Sequence, residues 1–180
     1  MNWTFTGALA LLLWLAGCSP ALNWRTVPLP GADLSVTLPC KPDHATRTVE
    51  LAGMPAELAM AGCEADGATF AVSHAALADP ARAGQALRHW RAAVLDHLGA
   101  SAAAAATDTP YAPPGTLVLP EAVRTVAQGP HPDGKPVFLQ GVWFARTAGA
   151  QLRLYHAVVY TRTPRPELAD PFFAGLELAR

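Results

Sequence analysis

Three cysteines and six histidines are the side chains of this 180-residue sequence with the most chemistry to offer. A thiol can ligate zinc, act as a nucleophile, carry a lipid or pair with a second thiol. Zinc sites need three or four ligands at short spacings such as Cys-x₂₋₄-Cys or His-x₃₋₅-His, and Cys18, Cys40 and Cys63 have no such arrangement around them. The histidines stand scattered at 44, 74, 89, 97, 131 and 156. The sequence holds no Gly-x-Ser-x-Gly elbow, no phosphate-cradling Gly-x-x-x-x-Gly-Lys-Ser/Thr, no Gly-x-Gly-x-x-Gly and no His-Glu-x-x-His. No catalytic residue, cofactor or metal is therefore assigned. The polar residues set in otherwise apolar predicted strands are His74, Gln140 and His156. Buried polar groups need partners, which makes these three the candidate ligand-binding residues.

Charge removes a further class. With 13 Lys and Arg against 14 Asp and Glu, the net charge is −1, and there is no basic cluster to neutralise a phosphate backbone. Nucleic acid is not an expected partner.

The first cysteine has a distinctive setting. Residues 8–16 read ALALLLWLA, too short for the roughly 20 apolar residues that span a bilayer and the right length for a signal-peptide core. Directly behind comes Leu15-Ala16-Gly17-Cys18. This resembles the bacterial lipobox, in which small residues fit the lipoprotein signal peptidase and the cysteine thiol receives diacylglycerol. The resemblance implies a signal peptide over residues 1–17, lipid and palmitate-type acylation at Cys18, and a membrane partner engaged through acyl chains, each buried CH₂ contributing about 0.8 kcal/mol. Ser19 rather than Asp follows the lipidated position, a pattern associated with the outer rather than the inner membrane. The expected location is the periplasm-facing cell envelope.

That address leaves Cys40 and Cys63 as an even pair in an oxidising compartment, where thiols persist as disulfides. A bond between them would close a loop of about two dozen residues and contribute about 3 kcal/mol.

The elements that must position these groups can be read from periodicity. Residues 18–31, with Pro20, Pro28 and Pro30, read as a tether, and residues 32–180 as one globular domain. Residues 34–38 alternate apolar and polar as a half-buried strand does. Residues 48–51, 57–61 and 69–74 continue a strand series with Gly53-Met54-Pro55 and Glu64-Ala65-Asp66-Gly67 as turns. Asp79-Pro80 opens a helix, in which Leu87, Trp90, Val94 and Leu98 form one stripe before Gly99. The alanine-rich stretch 101–107 and the prolines at 110, 113 and 114 mark a long loop. Strands at 122–127, 136–146 and 151–161 follow, the last two apolar on both faces and so belonging to a sheet covered on both sides. A second Asp-Pro pair, Asp170-Pro171, opens a short closing helix. The fold class is α+β: an antiparallel, meander-like sheet of six or seven strands with helices on both faces.

The order of elements, with Leu38-Pro39-Cys40-Lys41-Pro42 after the first strand, Leu154-Tyr155-His156-Ala157-Val158 in a late strand and a terminal Asp170-x-Phe172-Phe173-x-Gly175-Leu176, resembles the Mog1/PsbP type of domain. The resemblance implies an α/β/α sandwich and an accessory or partner-binding role. The sequence thus predicts a non-enzymatic envelope lipoprotein that binds a protein partner. The alternative is a small-molecule carrier or sensor with a pocket between the sheet and the Trp90 helix, or beside Trp143 and Tyr155.

Overall fold

The computed structural model describes residues 21–130 and 134–179. The lipobox, Cys18 and His131 lie outside them. Two antiparallel sheets form the frame. The larger has seven strands in the order β3-β4-β5-β9-β8-β7-β6: β3 (Asp43–Leu51), β4 (Met54–Ala65), β5 (Ala68–Leu77), β6 (Thr107–Pro110), β7 (Val123–Pro130), β8 (Pro136–Ala148) and β9 (Gln151–Thr161). The smaller has the order β1 (Arg25–Leu29), β2 (Leu34–Leu38) and β10 (Leu176–Leu178). Within the large sheet two meanders, β3-β4-β5 and β6-β7-β8-β9, are joined by the β5–β9 ladder, which sets Ser73 opposite His156 and His74 opposite Tyr155.

Tight turns explain the first meander. Leu51 pairs with Met54 and Ala65 with Ala68, so each hairpin has a two-residue loop. Both loops carry two positive φ values, 53° and 76° at Ala52-Gly53 and 50° and 70° at Asp66-Gly67. This is the left-handed pair that matches the twist of the flanking strands.

The chain between the meanders supplies the helices. Asp79 caps the opening turn, its Oδ1 accepting from Ala81 N at 3.0 Å, and α1 (Ala83–Leu98) follows. The stretch expected as a loop instead starts with a short α2 (Ala100–Ala105), consistent with the helix preference of alanine, and then forms edge strand β6. The last helix, α3 (Pro166–Ala174), begins five residues before Pro171, the start that Asp170 as a cap would set. Pro166 is the proline in the first turn, and Pro171 sits inside the helix.

Each face of the large sheet has its own core. On one face Leu87, Trp90, Leu95 and Leu98 of α1 pack on Leu58, Leu139, Trp143, Leu152 and Leu154. On the other, Phe70, Val72, Phe144, Tyr155 and Val159 meet Leu34, Val36 and Leu38 of the small sheet and Leu168, Phe172 and Phe173 of α3. The α+β class and the antiparallel sheet are as expected. Helical cover on both faces is corrected: the second face is covered mainly by a three-stranded sheet with one nine-residue helix beside it. The tether is corrected as well. Within it, residues 25–29 pair with β2 across the full strand, and Pro28 is tolerated because, among the described residues, β1 is an edge strand paired only with β2.

Cys40 and Cys63 are bonded, with Cα atoms 6.0 Å apart and a sequence separation of 23. Cys40 follows β2 of the small sheet and Cys63 lies within β4 of the large one. The staple therefore joins the two sheets rather than two strands of one meander.

Candidate functional site

α1 and the residue before it lean on the β3–β4 hairpin through polar contacts to both backbone groups of one residue, Ala52. His89 Nδ1 accepts the Ala52 N–H at 3.1 Å, and Arg82 Nη1 donates to the Ala52 carbonyl at 3.0 Å. These bonds hold Ala52 in its left-handed conformation, which a residue with a Cβ rarely adopts. Past this clamp the helix and hairpin diverge, leaving a cleft of about 240 Å³ walled by Val49, Leu51, Leu58, Trp90, Val94 and Tyr160. Arg47, His89 and His97 stand around it. Val94, expected within the buried stripe, is only half-buried because it lines this opening.

Behind Trp90 lies His156. Its ring stacks on Trp143, with centroids 4.4 Å apart and planes 18° from parallel, and meets the edge of Trp90 at 5.5 Å. His156 Nε2 and Trp143 Nε1 are both buried without a hydrogen-bond partner. Burial pushes the imidazole pKa down to about 3, so His156 is neutral at any physiological pH. Gly141 makes room for this stack: a Cβ there would lie 2.7 Å from Trp143 Cη2 and 3.4 Å from His156 Nε2. Ser73 is opposite His156 in the ladder, yet Nε2 takes no bond from it. A serine hydroxyl is activated by a base in hydrogen-bond contact, and this pair lacks that contact at Nε2.

His74 is on the other face. It shares its side of β5 with Phe70 and Val72 and pairs with Tyr155, one residue away from His156. Burial lowers its pKa and the Arg153 guanidinium lowers it further, while a hydrogen bond to the Pro30 carbonyl and the Asp33 carboxylate act in the opposite direction. Arg153 itself bonds the Gly31 carbonyl and pairs with Asp33 at 3.0 Å. The β1–β2 turn overhangs the sheet here and encloses a cleft of about 440 Å³ bounded by Leu29, His44, Thr46, Glu57 and His74.

Gln140 belongs to a third place. Its Oε1 accepts from Arg124 Nη2 at 2.6 Å, and the same nitrogen donates to Asp170 Oδ1 at 2.7 Å. The guanidinium carbon lies 5.0 Å from the centroid of the Phe173 ring. This cluster ties α3 to β7 and β8, so Gln140 has a structural partner. The three candidate ligand-binding residues His74, Gln140 and His156 thus lie in three separate places and do not converge on one site. Sequence reading also missed the upper half of β3, with His44 and Thr46, because its polar side chains give no apolar alternation; the β-branched Thr46, Thr48 and Val49 were the available signal.

Among the described residues no group of three or more His, Cys, Asp or Glu is placed to hold a metal ion. Set against known protein families and against curated proteins, the chain matches none.

Proposed function

We propose that this chain is a non-enzymatic lipoprotein of the bacterial cell envelope, anchored through acyl chains on Cys18 and carrying a domain that binds a protein partner. The observation that carries the reading is Leu15-Ala16-Gly17-Cys18 directly behind an apolar run of signal-peptide length. The Cys40–Cys63 disulfide supports it, because such bonds persist in oxidising compartments. Ser19 after the lipidated cysteine favours the outer membrane.

Intact-mass spectrometry of the protein from its native membrane tests the anchor. The expected result is loss of residues 1–17, added acyl mass at Cys18 and two hydrogens fewer at Cys40 and Cys63. An unprocessed leader with a free Cys18 thiol overturns it.

A second reading is favoured by the cleft of about 240 Å³ beside Trp90, which suits a small apolar ligand with one or two polar groups facing Arg47, His89 or His97. Native mass spectrometry of the detergent-extracted protein separates the two readings: a retained small molecule supports this one, and a reproducible protein complex supports the first.

A further inference from the structure

The two edges of the seven-stranded sheet are unlike. β6 has four residues and ends on Pro110, a blunt edge. β3 has nine, contains neither Pro nor Lys, and among the described residues pairs only with β4. Free strand edges present rows of unpaired N–H and C=O groups, which proteins usually shorten, charge or cover. β3 carries the charges of Asp43, Arg47 and Glu50 on its faces, and no other strand among the described residues covers its outer backbone edge.

Both clefts described above border this one strand. Arg47, Val49 and Leu51 line the cleft beside Trp90, while His44 and Thr46 line the cleft containing His74 on the opposite face. Alternate side chains of a strand point to opposite faces. A strand laid beside β3 would therefore send its own alternate side chains towards one cleft and then the other. In strand addition the main chain supplies affinity and side-chain pockets supply selection. A broad apolar patch is a weaker basis for docking here, since the large apolar side chains exposed among the described residues are Val118 and Val126.

We infer that β3 is a docking edge for an extended peptide segment of a protein partner, with a Leu- or Phe-sized side chain over Val49 and Trp90 and, three residues along and on the opposite face, a polar side chain over Thr46. The inference rests on the partner-binding reading and specifies its chemistry. A second copy of the chain fits less well, because full-length antiparallel self-pairing centred on β3 sets Arg47 against Arg47.

The test uses the detergent-solubilised full-length protein and a displayed library of random nonapeptides. Enriched peptides should carry apolar residues at every second position. The strongest is then synthesised in two backbone N-methylated series. Methylating amides of one parity should weaken binding at least about tenfold per site, while the other parity changes it less than about twofold. Val49→Lys should weaken the peptide and Val126→Lys, on β7, should not, with circular dichroism confirming that each variant folds.

Equal effects of the two methylated series overturn the inference, as does a library that yields no alternating binder. A dimer that dissociates on Val49→Lys assigns the edge to a second copy and overturns it too. A binder indifferent to Val49→Lys removes β3 while leaving partner binding intact. The mass at Cys18 reports on anchoring independently of all these outcomes.

Discussion

His156 stacks on Trp143 at 4.4 Å with the Nε2 of one ring and the Nε1 of the other both buried and unbonded. The pair is apolar in all but composition, and its behaviour with pH follows. Burial holds the folded-state pKa near 3, below the ordinary imidazole value of 6.5 that an unfolded chain has. Between those values the unfolded state binds more protons, so stability is fully present above pH 6.5 and declines as the pH falls towards 3. The loss from this one group is of order 4–5 kcal/mol across that window. Urea melts from pH 7 to pH 4 should show the decline, and His156→Phe should flatten it. An unaltered acid limb in the variant removes His156 as its cause.

Gly141→Ala places a methyl group where the Trp143 ring lies. With Cβ 2.7 Å and 2.9 Å from two indole carbons, the ring must move. The expected cost is about 1–3 kcal/mol, accompanied by a changed near-ultraviolet circular dichroism spectrum. A variant with wild-type stability and spectrum would show that the ring has room to shift.

Tyr155→Phe removes the hydroxyl that donates to the Ala32 carbonyl at 2.7 Å. Both residues are fully buried, so the carbonyl loses its side-chain donor without gaining solvent. Destabilisation of about 1–2 kcal/mol is expected by chemical denaturation. In the wild-type protein, burial pushes the phenol pKa up to about 12. Burial also pushes Tyr111 up to about 12 and raises Tyr160, so a spectrophotometric titration should find one fewer phenol ionising well above pH 10 in the variant than in the wild type.

Reduction of Cys40–Cys63 should lower stability by about 3 kcal/mol. Cys40→Ser with Cys63→Ser should behave like the reduced protein, and dithiothreitol should leave that variant's melting temperature unchanged. A melting temperature that is insensitive to reduction in the parent protein would show that the two sheets are held by packing alone.

Much of the large sheet is legible in the sequence because its strands alternate or are apolar on both faces. Residues 136–146 and 151–161 announce β8 and β9 through Val137, Leu139, Val142, Leu152, Leu154 and Val158, and Asp79-Pro80 marks the start of the main helical stretch. The same dipeptide at Asp170-Pro171 misleads. There the Asp carboxylate serves Arg124 across the fold, and the helix starts at Pro166, whose preceding Arg165 makes no side-chain cap. Short strands β1, β6 and β10 carry little pattern of their own and exist through pairing with a longer neighbour. The candidate site was legible only in part. The Trp90 helix does wall a cleft against the sheet, but whether His74 and His156 share a face depends on strand parity within β5 and β9, and the register that sets it is a property of the ladder rather than of either segment.

The inter-sheet bond has a mechanical consequence. β1 and β2 are the first elements of the described chain, and Asn23 N already bonds the Pro39 carbonyl at 2.7 Å, next to Cys40. Tension entering from the N-terminal side runs along this ribbon and reaches a covalent link at Cys40, which passes the load into β4. A pull from that end can strip β1 and β2 from their neighbours, but the separation cannot run past Cys40 without breaking a sulfur bridge.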